Sequence, residues 1–347
     1  MKLPRLSRSA FALAGALAVT GCSTNGCDDT TTTPKTVPTI APVTSPSPSA
    51  KPSTAPSASP SASPTAKPTA TPKPTATPTP TATPSSGAAS NTTLYVANGY
   101  ASQVLAFASP QSASSKPAQT IAYSAAPNDV ATDGHGTIAV VASQIFLYHA
   151  PLTAAAKAFA TLPDGSPGFA AFDSAGNLYA TTFAQGVLKF AAPLTNGESA
   201  SLLYVDDHGV GIAIDADGTM YVANTSGNID VVKPPYANNS QTVVAAPPGA
   251  SLSGLAIHNG VLWVSDVANQ EIYAYTLPIG VTSAPSATFT VPDPEAIAFD
   301  PAGNLFVSDD RANRIDVYGP PSGSVPSPLY SISGSFFNGP YGLTFAP

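Results

Sequence analysis

Charged residues are scarce in this 347-residue chain, at 10%, and basic residues are scarcer still in its C-terminal part. Residues 92–347 contain six Lys and Arg against eighteen Asp and Glu. A nucleic-acid-binding surface needs clustered cations that displace phosphate counterions, so this acidic balance excludes nucleic acid as the partner. No stretch after the N-terminal segment reaches about 18 consecutive apolar residues, which excludes a protein that crosses a membrane several times as helices.

Cysteine and aromatic residues are also missing from long parts of the sequence. The chain contains only Cys22 and Cys27, so its C-terminal part is not a disulfide scaffold. Every aromatic residue except Phe11 lies at or beyond Tyr95. A segment without aromatic residues cannot bury enough apolar surface to offset its ordering entropy. We therefore expect one globular domain over 91–347 behind a tail that has no core.

The first residues have the features of an export signal. Basic residues precede an apolar stretch over 10–19 that is too short to span a bilayer as a stable helix. The sequence Val-Thr-Gly-Cys at 19–22 then resembles the lipobox of bacterial lipoproteins. That resemblance implies a signal peptide over 1–21, lipidation of Cys22, and an envelope protein that meets the membrane through this cysteine. The alternative is an ordinary signal peptide with a coincidental cysteine.

The role of the second cysteine stays open. If Cys22 carries lipid, Cys27 has no partner within the chain, and we interpret it as a residue of the tether without a specific role. A second acylation or an intermolecular disulfide are the alternatives. Several acyl chains anchor a protein stably where one chain is marginal.

Residues 22–90 have the composition of a spacer. They consist largely of Thr, Pro, Ala, Ser and Lys, with proline most often at every fourth position. Proline lacks an N–H and restricts the preceding residue, so this spacing disfavours both helix and sheet. We expect a disordered, Pro/Ser/Thr/Ala-rich stalk with polyproline II bias. The composition also suits O-glycosylation, although a plain low-complexity linker is the preferred interpretation.

The C-terminal part contains an internal repeat with a period near 42 residues, which is typical of four-stranded propeller blades. Its marker is a short hydrophobic strand that occurs six times, beginning at Leu94, Ile138, Leu178, Met220, Leu262 and Leu305. Small-residue strands precede five of these markers, and four of those strands end in an Asp that is followed by a glycine-containing turn. Asp caps such turns and Gly accepts their positive φ. Each small-residue strand and the marker strand that follows it are therefore predicted to form a hairpin.

The two ends of the repeat region complement each other. Near Asn91 the domain begins with a hydrophobic marker strand that has no small-residue strand before it. At 341–345 the chain ends with a small-residue strand that has no marker strand after it. Joined in one sheet, they complete a sixth blade and remove free edges. We therefore predict an all-β, six-bladed β-propeller over 91–347, with N- and C-terminal segments closing one blade.

One repeat resembles a known family. Residues 303–319, GNLFVSDDRANRIDVYG, are similar to the NHL repeat, with matches at Val307, Asp309, Asn313, Arg314 and Ile315. The segments 261–276 and 94–107 match less closely. The resemblance implies the six-bladed architecture that NHL-like propellers share with the SMP-30/gluconolactonase group. It implies a binding disc and does not by itself imply catalysis.

The axial mouth of a propeller is the expected ligand site, because the ends of its inner strands converge there. Six positions, one per inner strand, are predicted to line it: Asn128, Gly168, Val210, Ser253, Glu295 and Tyr341. In the SMP-30 group, a Glu, two Asn and an Asp hold an axial divalent cation. The resemblance places Glu295 and Asn128 at two such positions, but two oxygen ligands are too few for a hard cation. We expect no metal and no cofactor.

Of the four histidines, only His208 is expected near the axis, which is too few for a zinc site. No catalytic motif of a hydrolase or a nucleotide-binding enzyme is present. Two functions remain. The preferred one is a non-enzymatic, monomeric module that binds a protein, peptide or glycan. The alternative is a lactonase-like hydrolase or lyase acting at the mouth. Small and apolar mouth residues favour the binding module.

Overall fold

The computed structural model describes residues 92–163, 167–182, 186–204, 209–236, 241–321 and 327–347. The proposed signal peptide, Cys22, Cys27 and the stalk lie outside the described residues. Within the described ranges, no helix has the length and apolar character needed to cross a membrane.

Twenty-four strands form six antiparallel sheets of four strands each, which confirms the predicted all-β, six-bladed propeller. We call the sheets blades 1–6. The innermost strands of blades 2–6 and then 1 are β4 (Asp129–Thr132), β8 (Pro167–Phe172), β12 (Gly209–Ile214), β16 (Leu252–His258), β20 (Pro294–Phe299) and β24 (Pro340–Ala346). The second strands of blades 1–6 are β1 (Thr93–Asn98), β5 (Thr137–Val141), β9 (Leu178–Thr182), β13 (Met220–Asn224), β17 (Val261–Asp266) and β21 (Leu305–Asp309).

The outer half of each blade adds two further strands. The third strands are β2 (Gln103–Phe107), β6 (Ile145–His149), β10 (Gly186–Phe190), β14 (Asn228–Val232), β18 (Glu271–Thr276) and β22 (Arg314–Tyr318). The outermost strands are β3 (Gln119–Ala122), β7 (Ala160–Leu162), β11 (Ser201–Tyr204), β15 (Thr242–Ala245), β19 (Ala287–Thr290) and β23 (Tyr330–Ser333). The outermost strands are short, and β7 has only three residues.

The blades form a closed ring around the inner strands. Each inner strand contacts the inner strand of the next blade, and β20 contacts β24, which contacts β4. The predicted closure is confirmed, because β24 pairs with β1 with Leu94 opposite Phe345 and Val96 opposite Leu343. The ends of the repeat region therefore complete one sheet, and no inner strand is left without a neighbour on either side.

The capped turn predicted between first and second strands is present in detail. Asp173 Oδ1 accepts hydrogen bonds from the amides of Ala175 and Asn177, at 2.9 and 3.0 Å, while its Oδ2 accepts one from the Tyr179 hydroxyl. Gly176 in this turn has φ +80°. The same carboxylate-to-amide pattern occurs in blades 2, 4 and 6. The side chain thus satisfies turn amides that no strand pairs.

The hydrophobic core lies between the faces of neighbouring blades. Tyr221 of blade 4 packs in one cluster with Leu262 of blade 5, and Trp263 of blade 5 packs in another with Leu305 of blade 6. Each sheet therefore buries both faces, which explains why the second strands are almost entirely buried and read as continuous apolar runs.

Small residues in the inner strands allow the close approach of adjacent blades. A Cβ atom at Gly211 of β12 would lie 2.0 Å from the backbone oxygen of Ser253 in β16. We expect Gly211→Ala to lower the free energy of unfolding by about 1–3 kcal/mol, because the two strands must separate. Chemical denaturation would measure this change. Gly280→Ala is the matched control, since a Cβ there meets nothing within 4 Å; equal effects of the two substitutions would contradict this explanation.

Candidate functional site

The predicted mouth residues lie at the beginnings of the inner strands, next to a repeated irregularity. Five of the six inner strands contain a register shift of one extra residue near their start, as between Pro294 and Ile297 in β20. β4 pairs regularly with β5 and is the exception. Such bulges change the direction of side chains, and in β20 the bulge contains Glu295.

Three of the predicted residues form one hydrogen-bonded group. The Ser253 hydroxyl lies 3.3 Å from Glu295 Oε2, and the Tyr341 hydroxyl also hydrogen-bonds to this carboxyl group. Ser253 and Glu295 are buried, and only 6% of Glu295 is exposed. The three residues come from blades 5, 6 and 1, so the group connects consecutive inner strands across two blade interfaces.

Burial raises the pKa of Glu295 to about 8, and the negative charge of Asp310 acts in the same direction. Hydrogen bonds from Ser253 and Tyr341 and the charge of Arg311 oppose this rise in pKa. Near neutral pH the carboxyl group is therefore mostly protonated. A protonated acid can donate a hydrogen bond, but it is a poor ligand for a divalent cation.

Asn128 has a structural role in the ring. Its side-chain amide donates to the carbonyl of Pro167 in blade 3 at 3.0 Å, and its backbone oxygen accepts from the amide of Gly342 in blade 1 at 3.0 Å. Asn128 thereby joins blades 1, 2 and 3. The fifth candidate, His208, lies outside the described residues.

Sequence reasoning missed the neighbouring carboxyl group, that of Asp129. Asp129 Oδ2 accepts a hydrogen bond from the amide of Ala170 at 3.0 Å, and the residue is only 6% exposed. Burial raises the pKa of Asp129 to about 7. The signal was available in the sequence, because the corresponding positions in the other inner strands are occupied by Phe, Gly or Ala.

A cavity of about 390 Å³ runs along the axis of the ring. All six inner strands contribute to its lining, from Asp129, Phe169, Gly254 and Ala296 near their starts to Phe172, Ile214, His258, Phe299 and Phe345 near their ends. Its lining does not include Asn128, Ser253, Glu295 or Tyr341. The predicted mouth residues therefore lie beyond the end of this cavity.

Burial along the inner strands identifies the open end of the cavity. Residues at the starts of the strands are mostly buried, and the Phe169 ring lies 5.6 Å from the Tyr341 ring. Residues at the strand ends are half-exposed: Thr132, Phe172, Ile214, Ile257, Phe299 and Phe345. Among the described residues, exposure thus increases from the starts of the inner strands to their ends, and the cavity opens at the strand ends. We call that open end the apolar rim.

In the part of the chain that the structure describes, the carboxyl group and the imidazole of the cavity lining lie at opposite ends of the cavity. Among the described residues, no group of three His, Cys, Asp or Glu side chains could hold a metal ion. His258 stacks on Phe299 at the apolar rim, with 4.4 Å between ring centroids, and Asp129 lies at the opposite end of the cavity.

The NHL-like motif performs a structural task. Asp309 Oδ1 accepts the amide of Ala312 at 2.7 Å, and Arg314 lies 3.4 Å from Asp309 Oδ2 and 3.0 Å from Asp316 Oδ2. Asn313, at φ +54°, accepts the amide of Gly339 from blade 1 at 2.8 Å. The polar residues of the motif therefore form the turn after β21 and attach it to the neighbouring blade.

Comparisons with known proteins support the fold and no particular activity. No family model matches the chain, and no curated protein matches it. A chain from the crystal structure of a nidogen/laminin complex is 14% identical, with a TM-score of 0.58 over 74% of this chain and 98% of that one. A protein of unknown function from Bacteroides caccae is 11% identical, with a TM-score of 0.57 over 74% of this chain and 99% of that one. Identities this low indicate a common fold alone.

Proposed function

We propose that this protein is an envelope lipoprotein that presents a β-propeller as a non-enzymatic binding module. The observation that supports the binding role is that polar side chains near the axis form hydrogen bonds between blades. Asn128, Ser253 and Glu295 hydrogen-bond across blade interfaces, so they hold the ring together. The groups that a hydrolase would need for a cation and a water are thereby committed to structure.

Membrane anchoring is the part of this proposal that rests on the sequence alone. The lipobox at 19–22 supports lipidation of Cys22, and the Pro-rich residues 22–90 suit a spacer that separates the propeller from the membrane. The partner is a protein, a peptide or a glycan in the bacterial envelope.

We expect Cys22→Ala to move the protein from the membrane fraction to the soluble fraction of its native host. Lipid attachment would be lost, because the thioether requires the thiol of Cys22. Fractionation followed by intact-mass spectrometry measures both effects. Cys27→Ala is the matched control and should leave the protein in the membrane fraction. A wild-type chain whose mature form begins elsewhere, or whose Cys22 is unmodified, would overturn the anchoring proposal.

A lactonase-like hydrolase or lyase is the second candidate, favoured by one observation. Two buried carboxyl groups, those of Asp129 and Glu295, lie near the starts of inner strands, where the SMP-30 group is expected to hold its cation. Both have raised pKa values, and each is already hydrogen-bonded within the ring.

We expect no lactone hydrolysis above background when Ca²⁺ or Mg²⁺ is added to the protein. A hydrolase of this type needs an ionised, oxygen-rich set of ligands to polarise the carbonyl and activate water. A panel of five- and six-membered lactones, assayed with and without the cation, measures this. Turnover that depends on the cation and is abolished by Glu295→Gln would replace the binding module with the enzyme.

A further inference from the structure

We propose that the outer edge of blade 4 binds an extended, uncharged peptide segment of a partner protein, which adds to β15 as a fifth strand. This inference rests on the proposed function, because it takes the propeller as a binding module. It does not depend on the lipid anchor. It narrows the partner of that module to a polypeptide and places the site on the circumference of the ring, away from the axis.

The outermost strands lack features that usually protect sheet edges. An exposed edge carries unpaired N–H and C=O groups that can pair with another chain, and proteins commonly place charged residues or proline there to prevent this. None of the six outermost strands that the structure describes contains a charged residue or a proline. Their sequences are QTIA, ATL, SLLY, TVVA, ATFT and YSIS. The short length of these strands limits pairing but does not prevent it.

The edge of blade 2 shows how such a strand takes up another segment. The amide of Thr161 in β7 donates to Asn196 Oδ1 at 2.9 Å, and the carbonyl of Thr161 accepts the amide of Gly197 at 2.9 Å. Asn196 and Gly197 belong to the loop between β10 and β11 of blade 3. The open main-chain groups of blade 2 are thus satisfied by a segment that offers one acceptor and one donor.

The edge of blade 4 has equivalent main-chain groups without this cover. The amide of Ala246 donates to the carbonyl of Gly227 at 2.9 Å, which extends the regular pairing of β14 with β15. Because hydrogen-bonded pairs alternate along an antiparallel ladder, the N–H and C=O groups of Val243 and Ala245 point away from the sheet. No hydrogen bond joins these four groups to any other residue that the structure describes.

The neighbouring loop of blade 5 leaves this edge open. It lies beside β15, because its Gly280 lines the same cleft as Thr242. Counted from the proline that follows each third strand, Val281 in this loop takes the place that Asn196 has in blade 3. Valine has no side-chain acceptor, and Val281 is 73% exposed while Val243 is 43% exposed. The edge therefore presents apolar side chains next to its open main-chain groups.

The cleft beside this edge has a volume of about 410 Å³ and a mostly apolar lining. Its apolar residues other than glycine are Val231, Pro234, Pro235 and Ile279. Val231 and Ile279 belong to the core cluster beneath the cleft, whereas the two prolines are exposed at its wall. Lys233, also exposed, is the charged residue of the lining.

The register of β15 specifies which partner side chains would reach the cleft. Thr242 lines it, and side chains directly opposite each other on adjacent strands share one face of a sheet. The partner residue opposite Thr242 therefore lies on the cleft side, where an apolar side chain would cover the prolines. The partner residues opposite Val243 and Ala245 form the main-chain hydrogen bonds. This combination of main-chain pairing and alternate side-chain contacts is that of strand addition.

Other occupants fit this edge less well. A glycan does not offer N–H and C=O groups at the regular spacing of a strand. The chain's own residues 22–90 are rich in proline, which has no N–H to donate. A second copy of the chain would offer the same short edge, and the test below separates it from a peptide.

Binding of the fluorescein-labelled, capped peptide Ser-Val-Thr-Val-Thr-Val-Ser to the full-length chain would test the inference. Cys22→Ala is included so that no detergent is needed, and fluorescence anisotropy measures the affinity. We expect saturable binding below about 1 mM, since the strand is short. The same peptide with N-methyl groups on both threonines cannot donate to β15 while its valines face the cleft. It should bind at least tenfold more weakly.

Val243→Pro should also weaken binding of the unmethylated peptide by tenfold or more. It removes an N–H that points away from the sheet, so the pairing of β15 with β14 is retained. Thr288→Pro is the matched control, because Thr288 is the second residue of β19 in blade 5 and its N–H also points outward. This control should leave the affinity unchanged. Val243→Lys is a second variant that places a charge at the edge, and circular dichroism verifies that each variant is folded.

Each other outcome has a separate meaning. No binding up to about 1 mM, equal binding of the two peptides, or equal effects of Val243→Pro and Thr288→Pro would overturn this inference. Self-association of the peptide-free chain that Val243→Pro abolishes, measured by sedimentation, would overturn it in favour of a second copy. These results would leave the proposed binding module in place. Cation-dependent lactone turnover would instead overturn the proposed function, whatever the peptide does.

Discussion

The free energy of unfolding of this propeller should fall as the pH rises from about 4 to about 8. Burial holds the pKa of Asp129 at about 7 and that of Glu295 at about 8, against ordinary values of 3.8 and 4.5. Between the ordinary and the raised values, the folded state binds more protons than the unfolded state. Stability therefore decreases with pH in that window, by about 4–5 kcal/mol for each carboxyl group at most.

Urea denaturation at several pH values would measure this slope for the wild type and two neutral variants. Asp129→Asn and Glu295→Gln remove the proton uptake at their own sites, so the double substitution should flatten the profile. Asp310→Asn is the control that keeps both buried carboxyl groups. It removes a negative charge that raises the folded-state pKa of Glu295, so the decline should end at a lower pH and reach a smaller total. A wild-type profile that rises between about pH 4 and about pH 8 would contradict the interpretation.

Deleting residues 339–347 should unfold the propeller or reduce it to a loosely packed state. These residues include β24, which pairs with β1 and contacts β4 and β20. The deletion removes the buried Leu343 and Ala346, and it leaves β4 and β20 each without one of their two neighbouring inner strands. The expected loss is comparable with the whole free energy of unfolding of a domain, about 5–15 kcal/mol.

Thermal melting and limited proteolysis would measure the effect of this deletion against two controls. Removal of Pro347 alone, which is exposed, should leave the melting temperature unchanged. Removal of residues 1–90 should also leave it unchanged, because we predict that the propeller folds without the tail. If the chain without 339–347 melts like the full-length protein, ring closure is not what stabilises the fold.

Much of the architecture could be predicted because a propeller repeats its local rules. Each blade carries the same hydrophobic second strand, and four of the six carry an Asp-capped turn, so a pattern too weak in one copy was readable across six. The pairing of β1 with β24 followed from counting strands.

The candidate site was less accessible to such reasoning. Glu295 and Ser253 were recognised as axial positions, and they do contact each other. Asp129 was overlooked in favour of Asn128, although the two are adjacent. Alternation predicts which residues of a strand share a face, but five of the inner strands contain a bulge and β4 does not. The direction of a side chain at this level therefore depends on register, which sequence spacing alone does not specify.

The amino-acid sequence by itself determined the number of blades, the strand that closes the ring and the residues that cap the turns. Each of these follows from local periodicity, from turn chemistry or from the count of strands. Only the tertiary structure decided that the lining of the axial cavity does not include the predicted mouth residues and that the cavity opens among Phe172, Phe299 and Phe345. Whether six converging strands leave a space, and at which end, depends on the distance between the backbones of neighbouring blades. That distance is set jointly by residues some 40 positions apart in the chain.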